Sequence, residues 1–287
     1  LSKEGDHHYV PQFHLRMWEG ADGKINQWGR IPFNDKLICT PVTSAATAYL
    51  PGLYSLEHVS QSEAQQIERD IFGKIESEAG PVLAKLINKG PDSLTTRERY
   101  WWAIYLNASL LRVPHVVEKI KVGAKEIVEK ELSQNIPEYD AAKGDAPEAT
   151  LFDWAANHAP ARLANSGLNV LVSLLGSKKA IYRIIQLSWL IKDVSSASHR
   201  LLLGDNPFER IGDLYKPRTL ISIPLSPTHV FFGSDALDII DHLVTLSARE
   251  IVKASNVSTL NTSKKFVYGD AERQFIEQHL PRNQLNA

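Results

Sequence analysis

The feature that most constrains this chain is a helix whose start is written into the sequence. Thr95-Thr96-Arg97-Glu98 is a capping box, with a threonine at the N-cap and a glutamate three residues on that reaches back to the N-cap amide. From about Thr96 to Leu111, Tyr100, Trp101, Ile104, Tyr105, Ala108 and Leu111 give this helix an unusually apolar body. A helix of that kind has to be enclosed by the rest of the molecule, so it is expected at the centre. Pro114 ends or kinks it, and Val116–Leu132 resumes with a charged face.

Other helices are read from the same signals. Ser60-Gln61-Ser62-Glu63 is a second capping box, followed by apolar residues in steps of three and four from Ala64 to Leu86, with a bend expected at Gly80-Pro81. Two more helices are expected at Pro160–Leu175 and Lys178–Lys192. The opening, Asp6–Trp18, reads as an extended piece and one or two helical turns, with Pro11 in a first helical position. Residues 20–56 read as loops with short strands at Lys24–Trp28 and Lys36–Thr40. Ile136–Glu148 mixes Gly and Pro with charges and reads as an exposed linker or mobile loop. Late in the chain the texture changes. Arg200–Gly204, Arg218–Ile223 and Thr228–Phe232 are β-type runs split by Asp-Asn-Pro and Pro-Leu-Ser-Pro turns. The tail from Ser234 is helical again, with a strand at Lys265–Tyr268. The expected class is α+β: a mainly helical body with a small, mostly antiparallel sheet from the C-terminal half. No long linker divides residues 1–287, so a single domain is expected.

Composition narrows the function classes. Thirty-two basic against 33 acidic side chains leave a net charge of −1, so no global field gathers nucleic acid or an anionic membrane. No run of about 18 apolar residues is present to cross a bilayer. A single cysteine, Cys39, forbids an internal disulfide and reads as a small hydrophobe. The polar opening Leu1–Asp6 lacks the apolar run of a signal peptide, and a cytoplasmic location is the expectation.

Ionisable residues gather in three places. Asp6-His7-His8-Tyr9-Val10-Pro11-Gln12-Phe13-His14-Leu15-Arg16 holds three histidines within eight positions. Imidazoles so close together suit a divalent transition metal, or a phosphate ester with one histidine as general base and Arg16 neutralising charge. On an extended segment His7 and His8 point to opposite faces, so one of them enters a given site unless the chain turns. The plain alternative is a solvated pair near a terminus. Leu201-Leu202-Leu203-Gly204-Asp205-Asn206-Pro207 is a strand running into an Asx turn, where polar side chains either serve a site or merely satisfy their own backbone. Arg112, at the exit of the apolar helix, has to reach water, a bound anion or a carboxylate, with Glu68 and Glu76 as candidates. Those two glutamates lie within about 80° of each other on an ideal helix, and a solvated face is their commoner use. The chain carries no phosphate-binding Gly-rich loop, nucleophile elbow, Cys-x-x-Cys or His-Glu-x-x-His.

Taken in combination, these motifs resemble a bacterial family known only as domain of unknown function 4238. The N-terminal His7-His8-Tyr9-Val10-Pro11-Gln12-Phe13 segment resembles its opening pattern. Gly52-Leu53-Tyr54, the helix bearing Glu68 and Glu76, Arg112-Val113-Pro114, Asp205-Asn206-Pro207, Ile223-Pro224-Leu225-Ser226-Pro227 and Asn256 match later parts of it. The resemblance runs from His7 to about Tyr268 and departs at Gly204, where the family pattern has serine. It implies no activity, but it groups His7, His8, Pro11, Gln12, Arg112, Asp205, Asn206 and Asn256 into one mainly polar set.

Imidazole, carboxylate and guanidinium are the groups phosphoryl chemistry uses. The leading expectation is therefore a hydrolase of phosphodiesters, most simply a nuclease of the defence or toxin type. His8, with His7, would act as general base or metal ligand, and Asp205 as a second ligand or as the group that orients the histidine. Arg112 would stabilise developing charge, while Gln12, Arg16, Asn206 and Asn256 position substrate. A nucleic acid or nucleotide is the expected partner, and a divalent metal the cofactor this set admits. The alternatives are an enzyme acting on a small nucleotide, a ligand-sensing module without chemistry, or a buried structural network.

Overall fold

The computed structural model describes residues 5–282, so Leu1–Glu4 of the polar opening lie outside the described residues. Strand β1 (Asp6–His8) pairs antiparallel with β4 (Tyr49–Pro51), setting His7 opposite Leu50 and His8 opposite Tyr49. Pro11 then caps the short helix α1 (Gln12–Leu15), one position earlier than its missing N–H suggests. Strands β2 (Ile25–Arg30) and β3 (Leu37–Val42) form a hairpin.

The first capping box holds: Ser60 accepts from the Glu63 amide at the start of α2 (Gln61–Ala64). The helix that follows is not a simple repeat of 3.6 residues. Ile67–Phe72 is a π-turn, and α3 (Gly73–Lys89) is continuous with Pro81 inside it. The change of helical pitch therefore lies before the Gly-Pro pair. Arg112 caps α4 (Thr96–Leu111), and Pro114 occupies the first turn of α5 (Pro114–Leu132), where a missing N–H costs nothing. The α4 residues Trp102, Ala103, Tyr105, Leu106 and Ala108 are all fully buried, and the main core that includes them runs from Tyr9 to Tyr268.

The stretch read as a loop at 136–148 contains α6 (Pro137–Ala142), with the Tyr139 hydroxyl donating to the Glu148 carbonyl. Helices α7 (Leu151–His158), α8 (Pro160–Ala164), α9 (Ser166–Leu175) and α10 (Lys178–Gln186) follow. Helix α9 lies close on α5, where a Cβ on Gly167 would fall 2.5 Å from the Lys121 Cα. The helix expected to continue to Lys192 stops at Gln186. Ser188–Asp193 is strand β5, because its amides pair with a later strand and that ladder overrides local propensity.

Strands β6 (Leu203–Gly204), β7 (Glu209–Ile211), β8 (Leu220–Ser226) and β9 (His229–Ser234) precede helices α11 (Leu237–Thr245) and α12 (Ala248–Thr262), then strand β10 (Phe266–Tyr268) and helix α13 (Arg273–His279). One sheet has the order β5-β9-β8-β7 and belongs to the C-terminal half. The other, β3-β2-β10-β6, joins the early hairpin to the late strands, so the sheet content is not confined to the C-terminal half as expected. The class is α+β, mainly helical, and every strand pair is antiparallel. Among the described residues no helix is long and apolar enough to cross a membrane.

Candidate functional site

The N-terminal strand, the π-turn and the end of α4 meet around the His7-His8 pair. His7 is buried, and both of its ring nitrogens are used. The Tyr54 amide donates to Nδ1 at 2.8 Å, which leaves Nε2 protonated and donating to Gln65 Oε1 at 2.5 Å. The ring stacks on Tyr54 with centroids 5.4 Å apart. Burial holds its pKa below the usual histidine range. A histidine so occupied is a structural element, and it locks the strand onto the turn.

His8 differs. Its backbone is gripped from two sides: its amide donates to Glu68 Oε1 at 3.3 Å, and its carbonyl accepts from Arg112 Nη2. Its ring is buried, yet Nε2 has no protein partner. The carbonyls of Ala45 and Asp6 lie beside the ring, so Nδ1 is the nitrogen left to donate and the Nε2 lone pair is free. Burial, and then the nearby Arg112 charge, push its pKa down to about 4.

Arg112 is fully buried. It donates Nη1 to Glu76 Oε1 at 2.9 Å, lies 4.5 Å above the Phe72 ring, and leaves Nε unpartnered. Burial opposes its charge most, but Glu76, Tyr54 and Glu68 together outweigh that and keep the guanidinium protonated. The pair expected with one of two glutamates is therefore made with Glu76. Glu68, reached through the π-turn, keeps Oε2 buried and unpartnered. Burial raises its pKa to about 7, although Arg112 pulls the other way. The two glutamates read as a solvated face are instead half-buried and line a cleft.

That cleft holds about 560 Å³ and is also lined by Asp6, His7, His8, Gln12, Arg16, Gln65 and Arg69. Arg16 is exposed and makes a 3.4 Å hydrogen bond to Gln12 Oε1. His7, His8, Gln12, Arg16 and Arg112 are thus brought together, with Arg112 behind the wall. Glu68 joins them as a titratable group that the sequence reading had treated as part of a solvated face. Its signal was the spacing to Glu76, which an ideal helix places on one side; the π-turn alters that geometry.

The remaining candidates go elsewhere. Asp205 is buried, and its carboxylate accepts the amides of Lys264, Lys265 and Phe266 at 2.8, 2.6 and 3.0 Å. It lines a different cleft. Asn256 ties α12 to the run before β6, accepting from the Leu202 amide and donating to the Arg200 carbonyl, each at 2.8 Å. Asn206 is half-buried and lines neither cleft. His14 is a core residue, with Nε2 donating to the Pro224 carbonyl and Nδ1 accepting from the Tyr105 hydroxyl, both at 2.7 Å. Among the described residues no three His, Cys, Asp or Glu side chains converge in a metal-binding group.

A family model described as Protein of unknown function (DUF4238) matches residues 6–273. The chain belongs to that family. Within this DUF4238 chain the match takes in the His7-His8 strand, Glu68, Arg112, Asp205 and Asn256, and so both clefts and the pinned α12. No curated protein and no solved structure matches it.

Proposed function

We propose that the His8–Glu68 cleft is a hydrolytic site that cleaves a phosphodiester by acid-base chemistry, with a small nucleotide as the best-suited substrate. One observation carries this reading. Three buried polar atoms, His8 Nε2, Glu68 Oε2 and Arg112 Nε, lack protein partners although their residues are linked through the His8 backbone. Buried polar groups are ordinarily satisfied, and a cluster of exceptions at a cleft suits an incoming polar ligand.

The pKa values are pushed in opposite senses from those of ordinary side chains. The carboxyl of Glu68 holds a proton up to about pH 7, and the imidazole of His8 stays neutral down to about pH 4. Two groups separated in this way are equipped as acid and base. His8 Nε2 takes a proton from the attacking water as its oxygen bonds to phosphorus. Glu68 gives its proton to the leaving oxygen as the P–O bond breaks, and solvent resets both groups. A phosphodiester anion beside His8 raises the basicity of the ring and so strengthens the base when substrate is present. Arg112 holds the His8 backbone in place, and Arg16 supplies a cation within reach of solvent. This assignment differs from the sequence expectation by adding Glu68 as the acid and by leaving out Asp205, which was expected as a second ligand or as the group orienting the histidine.

A cleft of about 560 Å³ suits a nucleotide-sized ligand. Of the cations at the cleft, Arg69 is paired with Asp70 and Arg112 with Glu76, so Arg16 is left for a substrate phosphate, which favours a small substrate over the long strand a defence or toxin nuclease would grip. The test is turnover of bis(p-nitrophenyl) phosphate, cyclic and linear dinucleotides and a short oligonucleotide by the full chain. Loss on His8→Ala of about 10²–10⁴-fold is expected. A ligand-sensing module is the second reading, favoured by the complete occupation of His7. Binding of these compounds with no turnover of any would establish it and defeat the hydrolase.

A further inference from the structure

We propose that a second cleft, between the start of α5 and the Lys264-Lys265 segment, binds a small phosphate-bearing ligand. The inference concerns binding alone and is independent of hydrolysis at His8. The cleft holds about 610 Å³, within the range of small-molecule sites.

Adjacent lysines between a helix and a strand would ordinarily range through solvent. Here their backbone is clamped, because the Asp205 carboxylate takes the amides of Lys264, Lys265 and Phe266 while the Asp205 amide donates to the Phe266 carbonyl at 3.0 Å. Asp205 thus acts as a positioning residue for two cations. Both lysines are exposed, and among the described residues neither is in a salt bridge. Lys265 Nζ lies 4.9 Å from the Phe266 ring. Asp205 is the one carboxylate lining this cleft, and its oxygens are already satisfied by three amides.

The facing wall is Val113-Pro114-His115, which opens the 19-residue helix α5. Pro114 has no N–H and the Val116 and Val117 amides donate to the Val113 carbonyl, so the His115 amide is the helix-start donor left beside the two ammonium groups. His115 stands in the same field: burial, then the Lys264 and Lys119 charges, hold its pKa low. Two ammonium groups, the His115 amide and its neutral imidazole together recognise a tetrahedral oxyanion. Tyr49 and Phe266 offer flat apolar walls beside it for a base. The Tyr49 ring lies 5.6 Å from the His8 ring, so this cleft adjoins the first.

Calorimetric titration of the full chain with AMP, and separately with inorganic phosphate, tests the proposal. Both are expected to bind, more weakly at high salt, and Lys264→Ala/Lys265→Ala is expected to weaken each by about tenfold or more. Asp205→Asn is expected to weaken binding with both lysines retained. Tighter binding of AMP assigns the aromatic walls to a base, and equal binding assigns recognition to the phosphoryl group alone. The proposal is overturned if neither titrant binds at millimolar concentration, or if the exposed lysine double variant binds like the parent. Loss of AMP binding in His8→Ala alone would likewise move the ligand to the first cleft.

Discussion

His7 and His8 are neighbours with opposite fates, and the difference lies in what surrounds each ring. His7 meets an amide donor and an amide acceptor; His8 meets only one side's worth of partners. His7→Ala is therefore expected to destabilise the fold, whereas His8→Ala is expected to abolish turnover with little loss of stability, as read by thermal melting beside activity. Glu68 allows a sharper test. Activity needs His8 neutral and Glu68 protonated, so it is expected to plateau between about pH 4 and pH 7 and to fall above that. Glu68→Gln should remove the alkaline limb along with most of the rate. The raised carboxyl pKa also has a stability consequence: its contribution is present below the unfolded value and lost as pH rises through about 7. Glu68→Gln should accordingly be at least as stable as the parent at pH 8, which a merely structural carboxylate would not predict. Arg112→Ala strands the Glu76 carboxylate and frees the His8 carbonyl, and denaturant unfolding is expected to show a loss of about 3–5 kcal/mol.

At the scale of elements, the π-turn at Ile67–Phe72 decides where Glu68 points, and the Asp205 carboxylate after β6, bonded to three amides at 264–266, decides where the late lysines stand. A Cβ on Gly204 would fall 2.5 Å from Ser263 Oγ, which donates to the Thr259 carbonyl at 2.7 Å. That contact accounts for glycine at this position, since a second side chain has no room while Ser263 holds its place. Gly204→Ser is expected to cost about 1–3 kcal/mol in thermal or chemical unfolding, and adding Ser263→Ala to recover most of it. Failure of the double variant to recover would mean that the β6–α12 contact is not what selects glycine. The Lys178–Lys192 stretch carries the same lesson in reverse. Its periodic apolar residues support a helix as far as Gln186, but the six residues from Ser188 pair with β9 because that sheet needs its edge.

For the whole molecule, the buried histidines set an acid limit. His14 is enclosed in the core with its pKa held at about 4, chiefly by burial. A depressed pKa adds stability above the unfolded value, and that stability is lost as pH falls from about 6.5 through 4. The contribution of His14 is about 3 kcal/mol. Urea unfolding at pH 7 and pH 4.5 is expected to show the loss, and a His14→Gln variant a flatter profile. An equal loss in that variant would place the acid sensitivity elsewhere.

Capping boxes, proline positions and apolar spacing made the α+β class, the central α4 and most helix starts legible, because each is a local interaction between residues three or four apart. The gathering of His7, His8, Gln12, Arg16 and Arg112 was legible as a set of residue types, but not as a place. Which carboxylate meets Arg112, which histidine is spent on structure, and whether Asp205 joins them are decided by contacts across 36 to 104 residues of chain, or by the lack of them. Such contacts depend on how the main core packs α3, α4 and the N-terminal strand together. Asp205 and Asn256 share the polar character of the cleft residues, yet tertiary packing gave their side chains to backbone amides and carbonyls, because buried chain ends have to be satisfied wherever the fold leaves them.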